Sequence, residues 1–146
     1  MIRIKPRRVE AGDPPPTVHQ IVLPWPPSVN KYWRMGRGRM HKSEAGKAYA
    51  AEAGFKARAM FKRKPFTGRL RVEIFAFPPD KRARDIDNLL KAPLDALKGI
   101  CFDDDSQIDE LMIMRDSGRL GSGGDARLVV LVSETKAQLA ANKATR

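Results

Sequence analysis

Sulfur and imidazole ligands are scarce in this chain of 146 residues, which has one cysteine and two histidines. Cys101 has no partner for an internal disulfide, which fits a reducing cytoplasm, and we expect it to be a buried small apolar residue. His19 and His41 are too isolated in sequence to predict a metal-binding pair. These shortages disfavour a zinc site.

Long apolar runs are also absent. The longest, from Leu128 to Val132, is far shorter than the roughly 20 residues that span a bilayer. The N-terminal segment lacks the apolar core of a secretory signal. The sequence therefore predicts a soluble protein without a membrane partner.

Acidic side chains are scarce outside one segment. Residues 1–79 carry a net charge of +12 and residues 117–146 a net charge of +3, whereas residues 80–116 carry −4. Because Lys and Arg bound to phosphates release condensed counterions, the cationic part predicts a polyanionic partner. On charge alone, a merely soluble basic protein remains an alternative.

The length predicts one domain with its own core. Residues 1–19 join a basic segment to a proline run and predict a flexible arm, residues 20–135 predict the folded domain, and residues 136–146 predict a tail that forms a short helix or frays. We expect an α/β or α+β fold with a small mixed sheet and two main helices, in the order strand, helix, strand, helix, strand, strand.

The two helices and the last two strands have specific signals. Ser43 is expected to cap a helix that ends near Lys62. A second helix is expected from Asp87 or Asn88 to Gly99, with a kink at Pro93. Residues 108–115 and 126–133 read as strands that a Gly-rich loop joins into a hairpin.

Three aspartates carry the strongest chemical signal. Asp85 and Asp87 follow a predicted strand, and Asp105 ends the run at 103–105. A helix from Asp87 and a turn at Gly99 are expected to bring the three carboxylates together. Two carboxylates about 4 Å apart repel by roughly 4 kcal/mol at an effective dielectric near 20, so a cation is expected between them. Oxygen ligands favour Mg²⁺ or Mn²⁺, which predicts hydrolysis of a phosphodiester.

Basic residues are placed to assist. Lys91 lies one helical turn after Asp87 and is predicted to stabilise transition-state charge; a surface ion pair with Asp87 is the alternative. The cations just before the acids, Lys81, Arg82 and Arg84, are predicted to hold a scissile phosphate, with a solvated charged loop as the alternative. The loop 28–42 interleaves aromatic residues with basic ones, which suits phosphate contact and base stacking. Its cations are Lys31, Arg34, Arg37 and Arg39.

The acids also have simpler interpretations. Asp87 is compatible with a helix cap and the run 103–105 with a polar turn, and either fragment alone is common. The arrangement is more informative than its parts because the acids occupy the one anionic segment of a cationic chain.

The segments LPWPPSVNKYWR, HKSEAGKAY, RARDIDNLLKAPLDAL and DDSQI together resemble the RusA family of Holliday junction resolvases, found in bacteria and their prophages. The resemblance runs from about Ile21 to Ser133. It implies a homodimeric, Mg²⁺-dependent endonuclease that makes paired nicks in four-way DNA, and a cytoplasmic protein associated with the nucleoid when bound.

By motif position, the resemblance assigns metal binding and catalysis to Asp85, Asp87 and Asp105, and a functional role to Lys91. Two features depart from the family: the arm before residue 20 and Ala83, which interrupts the basic run. A noncatalytic DNA-binding module and a regulator that binds a protein through the acidic segment stay open as alternatives.

Overall fold

A computed structural model describes residues 15–116 and 126–146. Its elements, in chain order, are β1 (His19–Pro24), α1 (Val29–Tyr32), β2 (Trp33–Gly36), β3 (Arg39–Lys42), α2 (Glu44–Met60), β4 (Leu70–Phe77), a 3₁₀ helix (Ile86–Leu89), α3 (Lys91–Leu97), a second 3₁₀ helix (Asp105–Gln107), β5 (Ile108–Arg115), β6 (Arg127–Glu134) and α4 (Lys136–Ala144). The predicted mixed α+β fold is confirmed. Most of the predicted arm and most of the Gly-rich connection lie outside the described residues.

Alternation of apolar residues produces the central strand. Leu70, Val72, Ile74 and Ala76 are fully buried, while the intervening residues of β4 are exposed or half-buried. Strand geometry places these two sets on opposite faces. The buried face of the sheet forms the core with residues of α2 such as Tyr49, Ala53 and Ala57.

The main sheet has the strand order β1-β6-β4-β5. β4 pairs parallel with β5 and antiparallel with β6, and β6 also pairs antiparallel with β1. The predicted hairpin between β5 and β6 is therefore wrong, because β4 lies between them. Parallel strands need a crossover connection, and α3 supplies it between β4 and β5.

Ser43 caps α2 as predicted, since its Oγ accepts a hydrogen bond of 3.0 Å from the Gly46 amide. The second predicted helix is divided: a 3₁₀ helix precedes α3, which begins at Lys91. Pro93 then lies in the first turn of α3, where the missing N–H removes no intrahelical bond. The expected kink within one long helix is thus replaced by a break before Lys91.

Two further expectations are settled by the remaining segments. The predicted loop 28–42 is wrong, because it forms α1 and a separate two-stranded ribbon of β2 and β3. The tail forms α4, capped by Thr135.

Cys101 is fully buried, as expected, and burial raises the pKa of its thiol to about 12. None of the described helices is long and apolar enough to cross a membrane.

Candidate active site

Asp85 and Asp87 are both exposed on the surface just before α3. Asp85 has an extended backbone (φ −71°, ψ 131°) and Asp87 lies within the first 3₁₀ helix. Asp85 makes no side-chain capping bond, and α3 begins only after Leu90. In residues 15–116 and 126–146, neither carboxylate is paired with a basic side chain within 4.0 Å. The pair is therefore exposed and not used as a helix cap.

The loop before the pair is organised by Asp80. Its Oδ1 accepts hydrogen bonds of 2.8 Å from Arg84 Nη1 and 2.9 Å from the Arg82 amide. The Arg84 bond, followed by the Arg82 amide, lowers the pKa of Asp80 to about 2. Arg84 also lies 5.7 Å from the ring of Trp25, and its carbonyl oxygen accepts a bond from Arg115. These contacts fix the backbone immediately before Asp85.

The three predicted DNA-contacting cations of this loop are not equivalent. Arg82 has 84% of its side chain exposed, whereas Arg84 has 23%. Lys81 is also exposed. The loop lines a groove formed by Pro78, Asp80, Lys81, Arg82, Ala83, Arg84 and Arg115. Arg82 Nε lies 3.7 Å from Asp80 Oδ2, but most of this side chain faces solvent. Lys81 and Arg82 are accordingly accessible to an anionic chain, while Arg84 supports the loop.

Lys91 pairs with a residue that the sequence analysis did not single out. Its Nζ lies 3.1 Å from Asp95 Oδ1, one turn along α3, whereas the alternative of a pair with Asp87 is not formed. The Tyr32 hydroxyl donates to Asp95 Oδ2 at 3.5 Å. Burial and the nearby Asp95 raise the pKa of Tyr32 to about 12. The spacing of four residues between Lys91 and Asp95 is the sequence signal that predicts this ion pair on a helix.

The turn that carries Asp105 is fixed by its neighbours. Asp104 caps the second 3₁₀ helix, accepts a bond of 3.2 Å from the Ser106 amide and pairs with Lys98 Nζ at 2.6 Å. Lys98, followed by Ser106, lowers the pKa of Asp104. The interpretation as a polar turn thus applies to Asp104, while Asp105 remains exposed at the start of the 3₁₀ helix.

Gln107 ties this turn to the chain just before β4. The sequence indicates this residue only as part of the DDSQI motif, without a role of its own. Its Oε1 accepts from the amides of Asp103 and Asp104 at 2.8 and 3.0 Å. Its Nε2 donates to the carbonyl oxygens of Phe66 and Gly68 at 2.8 and 3.0 Å. The side chain is buried, so it positions the acidic turn from within the fold.

The topology separates Asp105 from the other two aspartates within one chain. In the parallel pair, Leu70 is opposite Ile108 and Ala76 is opposite Arg115. Asp105 precedes Ile108 and therefore lies at the end of the sheet where both strands begin. The hydrogen bond from Arg115 to the Arg84 carbonyl oxygen places Asp85 and Asp87 toward the end where both strands finish. β4 and β5 have eight residues each, and strands of this length span roughly 25 Å. Within one chain, Asp105 therefore lies at the opposite end of this strand pair from the segment that carries Asp85 and Asp87.

The carboxylates of this region form a sparse set of metal ligands. Among residues 15–116 and 126–146, no group of three His, Cys, Asp or Glu side chains is arranged to hold an ion. Mg²⁺, however, is commonly held by one or two carboxylates together with waters and substrate phosphates. The exposed pair Asp85 and Asp87 fits that chemistry, with Lys81 and Arg82 in the adjoining groove.

The remaining predicted DNA contacts lie on α1 and the ribbon. Lys31, Arg34, Arg37 and Arg39 are all exposed, and Arg34 Nη1 is braced by the Asn30 carbonyl oxygen at 3.0 Å. A second groove runs along the base of the ribbon, lined by Lys31, Arg34, His41, Lys42, Ser43, Glu44 and Ala45. Both of these grooves carry cationic side chains that suit phosphates.

Comparison with known proteins covers the whole candidate site. Residues 24–132 match the family described as Endodeoxyribonuclease RusA. The crossover junction endodeoxyribonuclease rusA of Enterobacteria phage HK97 is 40% identical over 109 residues, which cover 70% of this chain and 90% of the relative. The proteins of that name from Enterobacteria phage 82 and from Escherichia coli K12 are each 37% identical over 98 residues, 66% of this chain and 82% of the relative.

Proposed function

The chain belongs to the RusA family, and we propose that it is a crossover junction endodeoxyribonuclease that resolves Holliday junctions in the cytoplasm by paired, metal-dependent hydrolysis. The proposal rests on the exposed carboxylates of Asp85 and Asp87, which follow directly on a loop that lines a cationic groove. Asp85 makes no side-chain capping bond, and both residues lie inside the segment that matches the family. An anionic pair in this setting is suited to a metal ion bound against DNA.

Asp85 and Asp87 are proposed to hold Mg²⁺, with Mn²⁺ as the alternative. A bound ion of this kind lowers the pKa of a coordinated water and offsets charge on the phosphodiester. Lys91, at the start of α3, is proposed to stabilise the charge that develops in the transition state. Asp95, which accepts a hydrogen bond from the Tyr32 hydroxyl, holds the Lys91 ammonium in an ion pair of 3.1 Å.

Asp105 is proposed to complete the site from a second copy of the chain. Asp105 and the segment of Asp85 and Asp87 lie at opposite ends of the β4–β5 strand pair, which argues against one chain supplying all three carboxylates to one site. In a two-fold dimer whose two β5 strands run antiparallel, the turn that carries Asp105 in each subunit would lie beside Asp85 and Asp87 of the other subunit. This arrangement would produce two identical sites related by the axis, as two cuts in a junction of near-two-fold symmetry require.

The free edge of β5 supports such a dimer. β5 ends the described four-stranded sheet, and Leu111 on this strand is 44% exposed. An unpaired edge is a template for another strand. Antiparallel pairing of two β5 strands would set the start of one beside the end of the other, which is the relation that the two parts of the site need.

The DNA contacts are proposed to come from both cationic grooves. Lys81 and Arg82 would hold the phosphates next to the carboxylates. Lys31, Arg34, Arg37 and Arg39 would hold the backbone farther along an arm of the junction. Arg84, which is tied to Asp80, contributes by ordering the loop.

The test is incubation of the purified protein with a labelled four-way junction and with a matching linear duplex, each with and without Mg²⁺. Paired cuts that require the metal and occur only in the junction support the proposal. Salt-sensitive binding without nicking of any branched, flapped or single-stranded substrate would identify a noncatalytic DNA-binding module. Indifference to DNA at moderate salt would favour a protein-binding regulator.

A further inference from the structure

The β2–β3 ribbon, residues 33–42, has an unusual tip. Arg37 (φ 49°) and Gly38 (φ 72°) form its turn, and two consecutive positive φ values are typical of a tight two-residue hairpin turn. The ribbon is separate from the main sheet. An isolated pair of strands is marginal by itself, so its base must be anchored elsewhere.

The anchors lie at both ends of the ribbon. Tyr32, immediately before β2, is 1% exposed. Ser43, immediately after β3, donates its amide to the Tyr32 carbonyl oxygen at 2.9 Å and caps α2. A Cβ on Gly46 would approach the same carbonyl oxygen to 2.6 Å. The close packing of α1 on α2 therefore fixes the base of the ribbon while its tip extends into solvent.

The two faces of the ribbon differ in chemistry. Met35 is opposite Met40 in register, so both side chains lie on one face, and they are 70% and 59% exposed. Arg34 is opposite His41, and Gly36 is opposite Arg39, on the other face. The end of the ribbon thus combines two long apolar side chains with a cationic reverse side.

The charge of the ribbon selects the kind of partner. Residues 31–42 contain five Lys or Arg and no Asp or Glu, which matches a polyanion. Paired DNA presents its phosphates outward and keeps the apolar faces of its bases stacked. A branch point differs because base faces become accessible where arms meet. Methionine is among the apolar side chains that proteins insert between unstacked bases.

We propose that Met35 and Met40 form an apolar wedge that enters the branch point of four-way DNA, with the basic face of the ribbon on the adjoining phosphates. This inference rests on the proposed function and deepens it, since it assigns recognition of the branch to two residues outside the catalytic groups. The link from the ribbon base to the site is short: Tyr32 at the ribbon base bonds Asp95, which pairs with Lys91.

The wedge is tested with junctions that carry 2-aminopurine beside the branch point, in EDTA so that no cleavage interferes. Wild type is expected to raise the fluorescence because the base becomes unstacked. The variant Met35→Ser/Met40→Ser is expected to lose this increase and to bind the junction about tenfold more weakly, while its affinity for linear duplex is unchanged. Met35→Leu/Met40→Leu is expected to behave as wild type.

The matched control is Phe55→Ser, which removes an apolar side chain of 75% exposure on α2 and is expected to change neither signal. Equal fluorescence and equal junction preference in wild type and the serine variant would overturn the proposal. Loss of duplex binding along with junction binding would also overturn it, because the methionines would then support the ribbon instead of reading the branch. Addition of Mg²⁺ tests cleavage separately, so failure of the nuclease proposal is seen independently of the wedge.

Discussion

The side-chain amide of Gln107 donates a hydrogen bond of 2.8 Å to the carbonyl oxygen of Phe66, which joins the acidic turn to the chain just before β4. The same side chain accepts two backbone N–H groups of that turn. One buried glutamine therefore satisfies backbone groups from two distant segments and sets where Asp105 can lie.

Replacing Gln107 with Leu is expected to lower the free energy of unfolding by about 3 kcal/mol, because backbone groups around a buried side chain lose their partners. Urea denaturation measures this change. Gln20→Leu, at an exposed position of β1, is the control and should alter stability little. Equal unfolding midpoints for Gln107→Leu and wild type would contradict the bracing role.

Asp80 is expected to stabilise the fold in a pH-dependent way. Its pKa is lowered from 3.8 to about 2 in the folded state, chiefly by Arg84. A carboxyl with a depressed folded pKa stabilises the protein above its unfolded pKa and loses that contribution as pH falls through the folded value. Wild type should therefore be more stable than Asp80→Asn at pH 6, and the difference should disappear as pH falls from about 4 toward 2. A difference that is constant across this range would refute the assignment.

Lys81 and Arg82 are expected to account for part of the salt dependence of DNA binding. Each phosphate contact contributes about −0.9 to the slope of log K against log salt, so Lys81→Ala/Arg82→Ala should make the slope shallower by about 2. Fluorescence anisotropy on a junction measures it. The control is Lys56→Ala, which removes a cation of α2 that lines neither groove. If both variants have the same slope, the loop does not contact phosphates.

Lys91 is expected to act on the rate and not on affinity. Lys91→Met keeps the aliphatic stem but removes the charge, and single-turnover cleavage of a junction should fall about 100-fold. Its dissociation constant for the junction, measured without metal, should remain within about twofold of wild type. A large loss of binding with normal cleavage at saturation would instead make Lys91 a DNA contact.

Local patterns were sufficient where local forces decide the structure. The alternation in β4 and the capping serine of α2 predict these elements because burial and capping act over a few residues. The ribbon was missed because its turn places Arg37, and not Asn or Gly, at a positive φ. The order of β5 and β6 was missed because strand neighbours depend on the crossover through α3, which leaves β4 between two strands that are adjacent in sequence.

The same nonlocal effect limits prediction of the site. The identities and spacing of Asp85 and Asp87 indicate a surface pair, and the structure places Asp85 immediately before the first 3₁₀ helix and Asp87 in its first turn, both exposed. The number of residues between Asp87 and Asp105 does not reveal that β5 runs parallel to β4. This strand direction decides at which end of the sheet Asp105 lies. The bracing roles of Asp80, Asp95 and Gln107 likewise depend on tertiary contacts.

The most direct test of the shared site uses mixed dimers on a labelled four-way junction in Mg²⁺. Asp85→Asn alone and Asp105→Asn alone are each expected to bind the junction without cutting it. After co-refolding, a mixed dimer has one site with both substitutions and one site with neither, so the mixture should nick one strand per junction without paired resolution. A mixture as inactive as its two parents would contradict the shared site, and cutting at the wild-type rate by either parent would contradict the catalytic role of these carboxylates.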